Sequence, residues 1–338
     1  MQSKTSLKSR KRSQLKKNKS EYFSSHVFTF PRVASPVWKY GLLEKYHSLE
    51  ELWNVLRPLF DRDFINNLRS ELEKIERFCE EREIRTLKIT DPGYPKSLKE
   101  IHSPPIILYY EGDESVFSND FVAVVGTRKP SAVSLNMCES VAGLLRERDH
   151  LGVVSGLALG IDREIMWRSL DRNLPLIGVM GTGFEKSYPY QNKDLYREMR
   201  IRENCLLVTE MRPFEPIGKW SFPKRNRIIT GLAETLIVME APLESGAMSS
   251  ARHAITQGRE VFVFEHESQV YNSGGKKLLE DGAYRLNQDD FKNPGKMIHV
   301  SELFPKDFGG ISQSLALLSK MELEGKVKEK GGGYFEFF

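Results

Sequence analysis

"FVAVVGTRKPSAVSLNMCESVAGLLRERDHLGVVSG", residues 121–156, is the stretch whose reading decides the fold. It opens on an apolar, β-branched run, "FVAVVG", that ends in a glycine turn. A stretch of helical composition follows over 131–149, and a second apolar run, "LGVVSG", occupies 151–156. Neither run alternates apolar with polar residues, the pattern of strands buried on both faces. Strand, helix, strand in this order predicts a parallel sheet.

The alternation continues downstream. "PLIGVMG" (175–181), "LLVTE" (206–210), "ETLIVMEA" (234–241) and "EVFVFE" (260–265) read as further strands, with helices expected over 158–171, 190–204, 223–233 and 247–257. The fold class is therefore α/β, a Rossmann-like, doubly wound, mostly parallel sheet. Upstream, residues 36–84 read as a small helical module. Ser48 and Glu51 form a capping box, and Leu49, Leu52, Trp53, Leu56 and Phe60 recur at helical spacing. A second stripe runs through Phe64, Ile65, Leu68, Leu72, Ile75 and Phe78, and both stripes are expected to be core. Residues 89–112 are punctuated by proline and read as a short extended linker with a strand at Ile106–Tyr110. The end, 293–338, reads as a helix and a β-hairpin turning at Gly331–Gly333.

The 338 residues are 40% hydrophobic and 28% charged, ordinary for a globular chain of two or three domains. No apolar run reaches the roughly 18 residues of a membrane span, and the N-terminus lacks a signal-peptide core. Cys79, Cys138 and Cys205 are single and far apart, which suggests neither a disulfide framework nor a zinc ribbon. A cytoplasmic setting is expected, with no metal and no cofactor. The net charge of +4 is uneven: residues 1–20 hold eight Lys/Arg and no acid, which leaves the remainder at −4. That tail has the composition of a disordered segment. Attraction of nucleic acid by counterion release, a solubilising extension and a transit peptide all stay open for it.

In an open parallel sheet, ligands bind beyond the carboxyl ends of the strands. The residues there are Gly126, Thr127 and Arg128 after the first run, and Ser155, Gly156, Gly160 and Asp162 after the second. Gly181, Thr182 and Gly183 follow the third, and Ser245 and Gly246 the fifth. The glycines allow backbone N–H groups to approach an anion, and Arg128 offers a bidentate fork to phosphate. "FPKRNRIITG", 222–231, adds Lys224, Arg225 and Arg227 at an expected helix start, with Pro223 at its first position. Cations there oppose the helix dipole at roughly 0.3–1 kcal/mol each if exposed. A shared anionic ligand resolves the conflict. Phe222, Trp220 and Tyr188 are candidate stacking surfaces for bases.

No G-x-x-x-x-G-K-[ST] occurs, and "GTGFEK" has Lys186 where G-x-G-x-x-G needs its third glycine, so neither a P-loop nor a dinucleotide fingerprint is present. Asp162 and Glu210 are possible catalytic carboxylates, with helix capping and structural hydrogen bonding the favoured reading. The set is rich in donors and poor in acid–base groups, which favours binding over catalysis.

"VAVVGTRKPS", "VVSGLALGID", "GVMGTGFEKSYP", "FPKRNRIITGL" and "ESGAMSSARHA", preceded by "DPGYPKSLKEIHSPPIILYYEG", resemble in order the blocks of the DNA-processing protein A (DprA/Smf) family. The resemblance spans roughly residues 90–285. It implies a single-stranded DNA-binding recombination mediator, not an enzyme, that helps load a RecA-type recombinase in natural transformation or related recombination. It also implies a homodimer formed through the Rossmann-like domain. Its phosphate-binding positions fall on Gly126, Thr127, Arg128, Ser155, Gly156, Lys224, Arg225, Asn226, Arg227, Ser245 and Gly246, and Phe222 joins them. The domains expected are a basic tail (1–24), a helical, sterile-alpha-motif-like module (25–88), an extended Rossmann-like DNA-binding domain with its leading segment (89–292), and a short winged-helix-like end (293–338). Departures from the family pattern are Ile165 and Met166 for Ala-His, Glu265 and His266 for Pro-Gly, Lys276 for an Asn, and Ser250 for a Thr. The alternative is a nucleotide-binding enzyme or sensor of the lysine-decarboxylase-like phosphoribohydrolase type. Its P-G-G-x-G-T-x-x-E signature has only the partial counterpart "SGAMSSARHA" here.

Overall fold

The expected strands form, and they form one sheet. The computed structural model describes residues 22–286 except 31, 34–41, 43–44, 47 and 149, together with 297–299, 327–331 and 334–337. Of the basic tail expected over 1–24, residues 1–21 lie outside the described residues, as does the helix expected after 293, whereas 22–24 are helical.

Strands β1 (Arg85–Lys88), β2 (Ile107–Gly112), β3 (Asp120–Val125), β4 (Leu151–Ser155), β5 (Leu176–Val179), β6 (Cys205–Thr209), β7 (Thr235–Val238), β8 (Glu260–Phe264) and β9 (Tyr284–Leu286) make a nine-stranded sheet. Their order is β1-β2-β6-β5-β4-β3-β7-β8-β9. From β6 to β9 all pairs are parallel; β2 runs antiparallel to β6, and β1 antiparallel to β2. The central strands are buried along almost their whole length, as the absence of alternation predicts. The sheet also claims the last residues assigned to the helical module. β1 is a four-residue edge strand carrying Arg85 and Lys88, too short and too charged to announce itself, and charge at an edge discourages further pairing. It starts before residue 89, where the sequence reading placed the boundary.

Helices α1 (Leu49–Leu56), α2 (Arg62–Glu81), the short α3 (Lys96–Lys99), α4 (Ala132–Arg146), α5 (Ile161–Asp171), α6 (Lys193–Ile201), α7 (Ser221–Gly231), α8 (Gly246–Thr256) and α9 (Ser273–Glu280) complete the described core. α4 packs on α5 and α5 on α6, forming one layer; α7 packs on α8 in the layer reached after the chain crosses back over β3. Ser48 Oγ accepts from the Glu51 N–H at 3.1 Å, so the first helix is capped as its sequence predicts. Leu49, Leu52, Trp53 and Leu56 are its buried face. Asp61 caps α2 through the Phe64 N–H at 2.7 Å.

One apolar core runs from these helices into the sheet. Arg212, just after β6, fastens the two. Its guanidinium reaches Glu71 of α2 at 3.3 Å and Glu215 at 3.0 Å, donates to the Thr29 carbonyl, and lies 4.2 Å over the Phe30 ring. Beyond residue 286, strands β10 (Met297–His299), β11 (Val327–Gly331) and β12 (Tyr334–Phe337) form an antiparallel sheet in the order β10-β12-β11. The hairpin expected near Gly331–Gly333 is the β11–β12 pair.

Candidate nucleic-acid interface

β3 has β4 on one side and β7 on the other, and the connections leaving β3 and β7 go opposite ways. This is the switch point where doubly wound sheets open a crevice. A cleft of about 820 Å3 lies there. Its walls bring together Gly126, Thr127 and Arg128 from the loop after β3, Phe222, Arg225 and Asn226 from α7, and Ser245 and Gly246 from the start of α8. A second cavity of about 560 Å3 shares Arg128, Tyr188, Phe222 and Arg225 and adds Gly156, Lys186 and Tyr190. Ser155, Lys224 and Arg227 line neither.

The β3–α4 loop is held from below. A Cβ on Gly126 would stand 2.5 Å from Ile161 Cγ1, so only glycine lets the turn lie on α5. The Thr127 N–H donates to the Glu240 carbonyl at 2.7 Å, and its hydroxyl accepts from the Lys129 N–H at 3.2 Å. The Glu240 carboxylate, buried at the end of β7, accepts from Ser131 N–H (2.9 Å), Ser131 Oγ (2.7 Å), Ser134 Oγ (2.8 Å) and Tyr271 N–H (3.0 Å). Burial alone would raise its pKa; the four hydrogen bonds outweigh burial and hold it below the usual carboxylate range. Glu240 escaped the sequence reading, although an acid inside "ETLIVMEA" was the available signal. Arg128 and Lys129 are consequently presented outward on an anchored loop, both exposed.

Arg225 faces the other way and is 7% exposed. Its Nη1 donates to the carbonyls of Gly156 and Val179, and its Nε to Asn226 Oδ1 at 3.2 Å. It thus clasps the ends of β4 and β5 to α7. Asn226 Nδ2 carries the clasp on to the Gly246 carbonyl at 3.1 Å. Asp162 sits beneath, accepting from the N–H groups of Gly156 (3.2 Å) and Ala158 (3.3 Å). Burial raises the Asp162 pKa and lowers that of Arg225, and each charge opposes the shift of the other. Asp162 therefore serves as an internal hydrogen-bond acceptor.

Several expectations about this edge need correction. The Ser155 hydroxyl does not face the cleft; it is buried and donates to the Val124 carbonyl at 2.7 Å. The Gly156 N–H is taken by Asp162, so it is not open to a ligand. α7 begins at Ser221, which makes Pro223 its third residue and moves Lys224, Arg225 and Arg227 past the first turn. The dipole penalty expected for them falls off there. Lys224 and Arg227 turn away to Glu210, at 3.3 and 2.5 Å.

Four cations remain open. Arg128, Lys129, Lys186 and Lys219 are exposed, and among the described residues no carboxylate lies within ion-pair reach of them. The last three were not singled out as phosphate ligands in the sequence. Lys129 follows Arg128 directly, whereas Lys186 and Lys219 are lone lysines in loops that only the fold brings to the two adjoining cavities. Tyr188 (46% exposed) meets Phe222 at 5.2 Å between ring centroids, and Trp220 is also exposed. A Cβ on Gly181 would stand 2.6 Å from the Phe222 ring, so this glycine seats the aromatic. At α8, Ser245 Oγ caps the Met248 N–H at 3.3 Å, and Gly246 faces open space.

A model of the family "DNA recombination-mediator protein A" matches residues 85–293, the whole sheet domain. The chain belongs to this family. It is 34% identical over 229 residues to the DNA processing protein DprA of Bacillus subtilis, covering 66% of this chain and 76% of that one. It is 36% identical over 199 residues to DprA of Streptococcus pneumoniae, covering 59% and 69%. The X-ray structure of the pneumococcal DprA superposes with a TM-score of 0.63 at 29% identity, over 74% of this chain and 89% of that one. A structure of DNA processing protein A from Helicobacter pylori, solved for its unique single-stranded DNA binding mode, superposes at 0.56 and 29% identity, over 62% and 93%. The chain is thus a DNA recombination mediator of the DprA family, and the phosphoribohydrolase alternative is not favoured.

The departures from the DprA pattern sit in ordinary packing. Ile165 and Met166 are wholly buried in α5, and Glu265 pairs with Arg285 at 2.8 Å. Lys276 lies within α9 rather than before it. Ser250 donates to the Gly246 carbonyl at 3.4 Å, a bond a threonine would also make.

Proposed function

We propose that this DprA-family chain binds single-stranded DNA in the switch-point cleft through its phosphates, and that it performs no catalysis of its own. The observation that carries this reading is four exposed cations without an ion-pair partner among the described residues: Arg128, Lys129 and Lys219 on the cleft, and Lys186 on the second cavity that shares Arg128 with it. Cations left without acids attract a polyanion and release its counterions. Gly126, Ser245 and Gly246 bring polar backbone close to the phosphates, and Gly246 leaves room for them, while Thr127, its N–H and carbonyl both engaged, holds the loop. Tyr188 and Phe222 offer rings in the same cleft, with Trp220 exposed two residues before Phe222, and stacking on rings accepts any base but needs bases unpaired. Arg225, Asn226 and Gly156 act by holding the walls, and Lys224 and Arg227 stand behind α7. The bound strand would then be handed to a RecA-type recombinase by a homodimer, in transformation or related recombination.

The test is a gel shift of single- and double-stranded oligonucleotides across a salt series, with the parent and Arg128→Glu. The reading expects preference for single strands, steep loss of affinity with salt, and a large loss in the variant. Equal affinity for duplex and single strand, or a variant that binds like the parent, overturns it.

A further inference from the structure

Glu210 lies just past the end of β6. Its Oε2 accepts from Arg227 Nη2 at 2.5 Å and pairs with Lys224 Nζ at 3.3 Å. Both cations belong to α7, and the two residues between them, Arg225 and Asn226, line the cleft with Phe222. A protein anion therefore occupies the place between two cations at the margin of an anion-binding site.

The two pairs differ in strength. The Lys224 side chain is 46% exposed, and an ion pair so open to water contributes little. Arg227 and Glu210 are each 12% exposed, so that pair is shielded from water. Even so, Arg227 Nη1 is buried without a hydrogen-bond partner. Glu210 satisfies part of the Arg227 fork and leaves the rest unmet, which is rare for a buried donor. A phosphate presents more oxygens than this one carboxylate atom and suits the fork of an arginine. The neighbouring acid Glu215 is itself paired with Arg212 at 3.0 Å.

We propose that Glu210 masks Lys224 and Arg227 from polyanions, and that a bound phosphate backbone displaces it, from Lys224 first. The carboxylate then sets how far the phosphate track extends around α7. This rests on the reading that the cleft takes single-stranded DNA.

The experiment measures binding of a mixed-sequence single-stranded oligonucleotide across a salt series. The proteins are the parent, Glu210→Gln, Lys224→Gln, their double variant, and Arg128→Glu. Glu210→Gln is expected to bind roughly two- to fivefold tighter, the equivalent of the ~0.4–1 kcal/mol of an exposed pair. Its log K against log salt should be steeper by about 0.7 for each cation freed. Lys224→Gln should cost more in the Glu210→Gln background than in the parent, a non-additivity that a merely structural Glu210 would not produce. Unchanged affinity and slope, or additive effects, overturn the proposal. Should circular dichroism show Glu210→Gln unfolded, Glu210→Asp replaces it: the shorter acid keeps a charge by Arg227 but loses Lys224, and a gain of about one cation is expected. No gain there overturns the proposal equally. If Arg128→Glu loses binding while the Glu210 variants do nothing, this inference alone fails. If Arg128→Glu binds like the parent, the reading of the cleft fails with it.

Discussion

Arg128, Lys129 and Lys219 on the cleft, and Lys186 on the cavity beside it, have no ion-pair partner among the described residues. Lys224, Arg225 and Arg227, on α7, are all engaged by the protein itself. The sequence makes the second group the conspicuous one, three cations within four residues, while the first is scattered over some ninety positions. In the folded chain the clustered cations mostly build the wall, and the scattered ones face the opening. Charge density along a sequence therefore measures something different from charge available to a ligand: the free energy of a cation depends on what is packed against it.

The contrast can be broken most sharply at Arg225. Reversing a buried charge beside Asp162 should cost about 3–5 kcal/mol of stability, read by urea unfolding. Arg225→Glu should also nearly abolish oligonucleotide binding, by losing the clasp between β4, β5 and α7. A variant of normal stability that lost binding would instead make Arg225 a direct ligand contact.

Glu240 sharpens the other side, because the rim cations are open but not loose. Glu240→Gln should lose about 1–3 kcal/mol at neutral pH, since all four donors lose a charged acceptor and an amide NH2 in place of Oε1 leaves the Tyr271 N–H unpaired, or in place of Oε2 leaves the Ser131 and Ser134 donors so. The sign with pH follows from its lowered pKa in the folded state. That stability is present above the unfolded carboxylate pKa and disappears as pH falls through the folded value, so the variant should show a flatter acid limb. Unfolding midpoints measured from neutral pH into acid check this. A parallel pair of curves would remove Glu240 from the account of the loop.

Arg128→Glu should leave stability within about 0.5 kcal/mol, as for an exposed residue, and lower oligonucleotide affinity on the order of tenfold at ~0.15 M salt. The smallest effect is expected for Lys129→Gln, Lys186→Gln or Lys219→Gln. Each should flatten the salt dependence of binding by about 0.7 with little change in preference for single strands. A lysine whose removal leaves the slope untouched is not on the phosphate path.

The elements of the fold were largely legible. Six apolar runs without alternation became six parallel strands, because burial on both faces imposes that composition wherever it occurs. The Ser48 cap and the Leu49–Leu56 stripe were legible for the same local reason. β1 was not, since four residues with charges at both ends carry no periodicity; only pairing with β2 makes them a strand. At the site, Gly126, Thr127, Arg128, Phe222, Asn226, Ser245 and Gly246 reach the cleft as expected, because strand ends in a doubly wound sheet converge whatever their loops contain.

What the sequence by itself determined, then, was the sheet, its edge and the segments that meet there, properties set by local composition and by chain order. The direction of each side chain was decided only by the tertiary structure. Ser155 and Arg225 turn inward because buried carbonyls at Val124, Gly156 and Val179 need donors. Lys224 and Arg227 turn to Glu210, an acid from a different connection. Lys129, Lys186 and Lys219 are open because, among the described residues, no such acid is folded against them. Partners drawn from distant parts of the chain choose these orientations, and no pattern of neighbours along the sequence records that choice.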